Sequence, residues 1–305
     1  MKKLMAIVFL GAAVFLGIYK SGIFEQNTTA EQTATSAQIS ETSTAAETEP
    51  TTTTMVKIGK EDSDLYSDEA LTTQLALVNG GELTEYISET DDVYKIKTND
   101  GDTGYLPKSS GEKVTKTTQS VPDSLSGAVI VLDPGHGGED TGALSNDELT
   151  EEKEVTLSTA EKVKSALEAA GATVYLTRTT DELVQLGDIC TYSEEKEADV
   201  FISLHADSTE YANEATGITT YYYYGEEETL AQTIQESFTS LPLDSRGIAY
   251  GNYQVLRENL QPSILIEMGY MNNDNDLSEL VSDSYQEQLA ESITTGLTNY
   301  FANQA

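Results

Sequence analysis

Three short, largely apolar runs constrain this chain most: Ala128-Val129-Ile130-Val131-Leu132, Val200-Phe201-Ile202-Ser203-Leu204 and Ile264-Leu265-Ile266. Strands that are apolar on successive residues are buried on both faces, as in parallel sheets covered by helices. Between the runs the period changes. Leu157, Ala160, Val163, Leu167 and Ala170 recur at helical spacing, and Gly171 supplies a stop. Residues 173–176 read as a strand, 218–224 as a β-rich run, and 230–238 and 285–300 as helices. This alternation predicts a three-layer α/β domain over 127–305, with a mostly parallel or mixed central sheet flanked by helices.

Each apolar run leads into chemically specific residues. The first passes through Asp133-Pro134-Gly135 into His136, the second into His205 and the third into Glu267. The chain has 2 histidines, and both stand at such strand ends. Functional groups of open α/β sheets gather beyond the carboxyl ends of the strands. Two imidazoles and a carboxylate make a catalytic zinc site that keeps one position for water. A single histidine at a strand end is as readily a structural one. The pair, with Gly135, Gly137 and Gly138 around the first, favours a metal site. The helix after His136 opens with Glu148, Glu151, Glu152 and Glu154, and Thr150 can cap it. Acidic residues in a first turn are ordinary helix-dipole partners, so composition does not choose among the four. Glu267 stands apart, because a carboxylate ending a buried strand has few structural roles open to it. The single cysteine, Cys190, excludes an intramolecular disulfide and any multi-thiolate site, and it reads as a small buried apolar residue.

Four motifs then agree in order: Leu132-Asp133-Pro134-Gly135-His136-Gly137-Gly138, Glu152-Lys153-Glu154-Val155, Ser203-Leu204-His205-Ala206-Asp207, and Leu265-Ile266-Glu267-Met268-Gly269-Tyr270 with Asn273. Together they resemble the zinc-dependent N-acetylmuramoyl-L-alanine amidases over about residues 129–301. The resemblance implies one Zn2+ per chain, held by His136, Glu152 and His205. It implies that Glu267 activates the water and protonates the leaving amine. The bond cut would be the amide between N-acetylmuramic acid and L-alanine of the peptidoglycan stem peptide. Leu176-Thr177-Arg178 and Val255-Leu256-Arg257 match the family's strand edges. Ile189, Glu194 and Asp207 depart from its usual residues at positions that are not proposed ligands. Two alternatives stay open: a catalytically silent wall-binding or regulatory module on the same fold, and a carboxypeptidase-like enzyme acting elsewhere on the stem peptide. Substrate-binding residues and protein activators are unassigned.

The remainder reads as an exported cell-envelope protein. Lys2 and Lys3 precede an apolar run over 4–19, closed by Lys20. Residues 1–24 therefore read as a signal peptide or a membrane anchor. Residues 25–54, rich in Thr, Ala, Ser, Glu and Gln, read as a disordered linker. Residues 55–108 hold short alternating strands and turns, the signature of a small all-β barrel. Tyr94-Lys95-Ile96 followed by Gly104-Tyr105-Leu106 resembles the closing hairpin of bacterial SH3-like domains. Residues 109–126 read as a second linker. The formal charge of −35 repels phosphate and excludes nucleic acid as a partner; the amidase resemblance implies peptidoglycan as the partner. The run Tyr221-Tyr222-Tyr223-Tyr224 is expected to send two rings to each face of a strand.

Overall fold

Residues 51–118 and 122–303 are described by the computed structural model. The export segment predicted at 1–24 and most of the 25–54 linker lie outside the described residues. Among the described residues no helix is long and apolar enough to cross a membrane.

The N-terminal half forms a seven-stranded antiparallel sheet from β1 (Thr51–Ile58), β2 (Ser63–Tyr66), β3 (Gln74–Val78), β4 (Leu83–Glu89), β5 (Val93–Lys97), β6 (Thr103–Pro107) and β7 (Gly111–Thr118). Its strand order is β3-β2-β6-β5-β4-β1-β7. Alternation does the sorting. Val56, Ile58, Leu65, Val78, Tyr94, Ile96 and Leu106 form one buried cluster, while Lys57 and Lys95 between them stay partly exposed. Tyr94 pairs with Leu106, Lys95 with Tyr105 and Ile96 with Gly104, so the two segments singled out in the sequence form one hairpin.

Both linker boundaries need correction. Thr51, Thr52, Thr53 and Thr54 pair with Thr118, Thr117, Lys116 and Thr115, so strand structure reaches into the span read as the first linker and occupies much of the second. These strands carry threonine and lysine where apolar residues would reveal a period. Threonine's branched Cβ still favours the extended backbone, but a mostly polar strand gives no hydrophobic pattern to read.

The C-terminal half is a six-stranded mixed sheet of β8 (Val129–Pro134), β9 (Thr173–Leu176), β10 (Val200–Asp207), β11 (Ile218–Tyr222), β12 (Ser245–Tyr250) and β13 (Ser263–Tyr270), in the order β12-β11-β13-β10-β8-β9. Every neighbour pair is parallel except β11 with β13. The helices are α1 (Glu152–Ala169), α2 (Leu186–Glu195), α3 (Glu228–Ser237), α4 (Gln254–Arg257), α5 (Asp274–Leu280) and α6 (Asp283–Ala302). Ile130, Leu132, Ile202, Leu204, Ile264 and Ile266 pack on one side with residues of α1, α3 and α6. Val131, Phe201 and Leu265 pack on the other with Ile189 of α2 and Val255 and Leu256 of α4. Each apolar run thus feeds two cores, which is why it reads as continuous. Each fully buried large side chain contributes about 1.5–3 kcal/mol by leaving water.

The two halves share the second of these cores. Leu83 of β4 is buried with Tyr223, Tyr224 and Leu256. The Tyr224 hydroxyl donates to Arg257 O (2.6 Å) and accepts from Leu83 N (2.8 Å). The Tyr223 hydroxyl donates to buried Glu82 (3.0 Å), and Arg257 Nε donates to Gly80 O (2.7 Å). The tyrosine run therefore does not divide two and two. Tyr221, Tyr223 and Tyr224 join this core, and only Tyr222 packs on the opposite one, because β11 ends at Tyr222 and the alternation ends with it. Val255-Leu256-Arg257, matched to a strand edge from sequence, lies in the helical turn α4.

Candidate active site

The three buried strands deliver their terminal residues to one rim. Beyond β8 the chain turns at His136 with φ +64°, a left-handed conformation uncommon for a residue with a Cβ. His136, Glu152 and His205 each offer a ligand atom, and these atoms lie within 4.8 Å of one another. Among the described residues this is the one cluster of histidine, cysteine and carboxylate side chains able to hold a metal ion. Glu152 Oε1 stands 2.9 Å from His205 Nδ1, and Glu152 Oε2 stands 3.1 Å from His136 Nε2.

Of the four acidic residues near the start of α1, Glu152 is distinguished by what it touches. It is the first residue of the helix, the cap position falls to Glu151, and Thr150 makes no side-chain cap. Glu152 is buried, and its two oxygens accept from Ala206 N (2.9 Å) and Ala143 N (2.8 Å). Such donors hold a carboxylate in its charged form. Close approach to the cluster depends on two glycines. A Cβ on Gly135 would collide with the His205 ring, and one on Gly142 would collide with Glu152 and His136. Gly137 and Gly138, read from sequence as clearing space beside His136, instead lie against Glu182 and Leu183.

Electrostatics couples the three groups. Burial opposes the charged His136, but the Glu152 and Asp140 carboxylates outweigh it and push its imidazole up to about 9. Burial raises the Glu152 carboxyl, and the hydrogen bonds to His136 and His205 overcome it, leaving the group well below the usual carboxylate range. In this arrangement two imidazoles share one buried carboxylate. A divalent cation would replace that proton-mediated attraction with direct ligation.

Glu267 sits beside the cluster, not within it. It is opposite His205 in the register of β10 and β13. Its side chain is buried, and its Oε2 has no hydrogen-bond partner among the described residues. Burial pushes its carboxyl up to about 8 against the opposing pull of His205. His136, His205 and Glu267 open on one cavity of about 370 Å³, walled on the far side by Ile189, Tyr253 and Val255.

Sequence reasoning missed three supporting groups. Asp140 Oδ2 lies 2.9 Å from His136 Nδ1, leaving Nε2 directed at Glu152. Its signal was the spacing of four from a histidine in a glycine-rich turn. Arg178, noted only as a motif match, is buried and donates to Pro134 O, Gly135 O and Lys153 O, which ties the His136 turn to α1. Asp133 of β8 accepts from Ser203 Oγ of β10 and from Thr177 Oγ1 just past β9, both at 2.7 Å, and so ties neighbouring parts of the sheet together near the site. Cys190 is buried and its thiol is pushed up to about 12 by that burial, in keeping with an inert apolar role.

A mixed sheet with His136 and His205 at its carboxyl rim and Glu152 at the start of the facing helix carries the kind of donor set that metal-dependent hydrolases use. The family profile for N-acetylmuramoyl-L-alanine amidase matches residues 130–299, and the chain belongs to that family. Over 180 residues it is 39% identical to a probable cell wall amidase, LytH, of Staphylococcus aureus, covering 58% of this chain and 60% of that protein. The chain thus matches about three-fifths of the length of this curated relative. An N-acetylmuramoyl-L-alanine amidase from Clostridium difficile 630 superposes with a TM-score of 0.55 at 35% identity, over 57% of this chain and 96% of that one. The catalytic domain of CwlV from Bacillus (Paenibacillus) polymyxa var. colistinus does so with 0.55 at 34% identity, over 57% and 97%.

Proposed function

We propose that this chain is a cell-envelope zinc amidase that hydrolyses the bond between N-acetylmuramic acid and L-alanine in peptidoglycan. One observation carries the reading: three convergent nitrogen and oxygen donors stand beside a buried carboxylate whose Oε2 is unpartnered. The donor set fits zinc, which His136, Glu152 and His205 would hold, three protein ligands being the number that leaves a place for water. A zinc ion held there would polarise the scissile carbonyl and lower the pKa of water.

The chain's own residues supply the rest. Glu267 Oε2 takes a proton from the attacking water and returns it to the leaving amine nitrogen, so one carboxyl serves as base and then acid. A carboxyl raised toward neutral pH suits both halves of that exchange. Asp140 fixes the His136 ring, and Arg178 fixes the turn that carries it. The cavity wall at Tyr253 and Val255 excludes water and orients the peptide side of the substrate.

The N-terminal sheet supports an SH3-like module over 55–108, extended by the outer strands, and residues 1–24 fit an export signal or an anchor. Both readings agree with a substrate outside the cytoplasm. The test is mass spectrometry of peptidoglycan digested by the full chain with zinc supplied. Release of free L-alanyl stem peptides is expected, with loss of that release on chelation. Cleavage at another bond, or activity indifferent to chelator, would overturn the proposal.

A further inference from the structure

On the same face of the sheet, next to the cavity, lies a shallow groove lined by Thr219, Tyr221, Arg246, Ile248 and Ala249. Tyr221 packs edge-to-face on Tyr253 of the cavity wall, with centroids 5.2 Å apart, so the two depressions adjoin. The register runs continuously from one to the other. His205 pairs with Glu267, Glu267 with Thr219, and Thr219 with Gly247. Two strand spacings separate Gly247 from Glu267, roughly 10 Å. An extended peptide covers that distance in roughly three residues, fewer with the reach of an arginine.

Arg246 is the residue displaced from this register. Ile218 pairs with Ser245 and Thr219 with Gly247, which leaves Arg246 as the extra residue of a bulge. Bulges re-aim side chains, and they are rare in parallel pairs. Gly247 takes φ +90° to accommodate this one. The redirected guanidinium lies over the Tyr270 ring at 5.4 Å and donates from Nη1 to Thr216 O at 3.0 Å. Those contacts hold it at the rim onto which β10 and β13 end, and they leave donors free. Among the described residues it has no carboxylate within ion-pair distance.

That isolation is unusual in a chain of formal charge −35. From Asp199 onward there is no lysine and only one other arginine, Arg257, which bonds Gly80, Asn252 and Glu258. We propose that Arg246 is a specificity-determining residue that binds a carboxylate of the stem peptide beyond the L-alanine. The inference rests on the amidase reading above. A planar guanidinium fixed on an aromatic ring suits a carboxylate with two acceptor oxygens. In a field this negative, it also offers an acidic peptide an attractive contact beside the site.

The test compares two synthetic N-acetylmuramoyl-L-alanyl peptides whose next residue carries either a free carboxylate or its amide. The full chain with zinc supplied is assayed as wild type, Arg246→Gln and Arg246→Lys, with kcat and KM read separately. Wild type is expected to prefer the carboxylate by about tenfold or more in kcat/KM. Arg246→Gln should lose that preference through KM and keep its turnover of the amide. Arg246→Lys should retain part of the preference. Equal loss on both peptides, a preference untouched in Arg246→Gln, or no preference in wild type would each overturn the role of Arg246. Failure of wild type to release peptide from either substrate would instead sink the amidase reading, and this inference with it.

Discussion

His205 of β10 and Glu267 of β13 occupy paired positions on adjacent parallel strands, yet they have different surroundings. His205 Nδ1 is 2.9 Å from Glu152, whereas Glu267 Oε2 has no hydrogen-bond partner among the described residues. In the function proposed above, one residue of the pair holds the metal and the other moves the proton.

Substituting Glu267→Gln should therefore separate binding from turnover. Activity is expected to fall by roughly 10²–10⁴-fold, the usual worth of a positioned acid–base group. Zinc content by elemental analysis should stay near one per chain. Loss of zinc in this variant would make Glu267 a fourth ligand and the site a closed, structural one.

His205→Ala should lose zinc and activity together, and the protein should no longer be stabilised by added zinc. Binding to the folded state alone stabilises by mass action, so the wild-type melting temperature should rise with zinc and fall with chelator. An unchanged zinc-dependent shift in the variant would remove His205 from the ligand set.

Asp140→Asn tests the support of His136. A carboxylate on the far ring nitrogen fixes the ring and strengthens the ligand, and its loss typically costs 10–100-fold in metal affinity. Competition against a chromogenic chelator measures this directly. An affinity within a factor of two of wild type would show that the 2.9 Å contact does not position the ring.

Glu227 gives a pH-dependent expectation away from the metal. It is buried, it accepts from Ser263 N at 3.0 Å and Tyr224 N at 3.2 Å, and burial pushes its carboxyl up to about 8 from the ordinary 4.5. Between those values the folded chain binds a proton that the unfolded chain has lost. Its contribution is thus fully present below pH 4.5 and falls away as pH rises toward 8. Thermal melts of wild type and Glu227→Gln across that window should show the variant flatter. Parallel profiles would mean that Glu227 stays ionised in the fold.

Tyr224→Phe removes the group that accepts from Leu83 N and donates to Arg257 O. Leaving both backbone groups buried and unpaired should cost about 1–3 kcal/mol, read as a lower midpoint in urea unfolding. A stability equal to wild type would show that the contact between the halves contributes little.

The sequence was most legible where burial was two-sided. Val131 and Phe201 face one core while Ile130 and Ile202 face the other, so both neighbours had to be apolar and the strand was visible. His136, His205 and Glu267 could be placed because each stands just beyond the apolar run of such a strand, His205 and Glu267 within the last residues of β10 and β13 and His136 in the turn after β8. Glu152 could not be chosen unaided from its acidic neighbours, since what singles it out is contact with Ala143 and Ala206 N–H groups remote in sequence. The β1–β7 pair was illegible because threonine and lysine carry no apolar period. Arg246 was illegible because only the pairing of β11 with β12 makes it a bulge.

The four-residue helix α4 has consequences out of proportion to its length. A single turn has no stability of its own, so its place must come from its neighbours. Gln254 and Val255 face the cavity, while Arg257 reaches across the boundary between the halves to Gly80 O and is held within its own half by the Tyr224 hydroxyl. α4 rests on α2 and β13 of its own half, and the N-terminal sheet braces it from the other side through Leu83 and Gly80, so that sheet steadies one wall of the cavity. A C-terminal half joined to a foreign N-terminal partner would keep the cluster of His136, Glu152 and His205 and lose the brace that Gly80 gives α4. Grafting this C-terminal half onto another N-terminal module therefore calls for a new partner for Arg257.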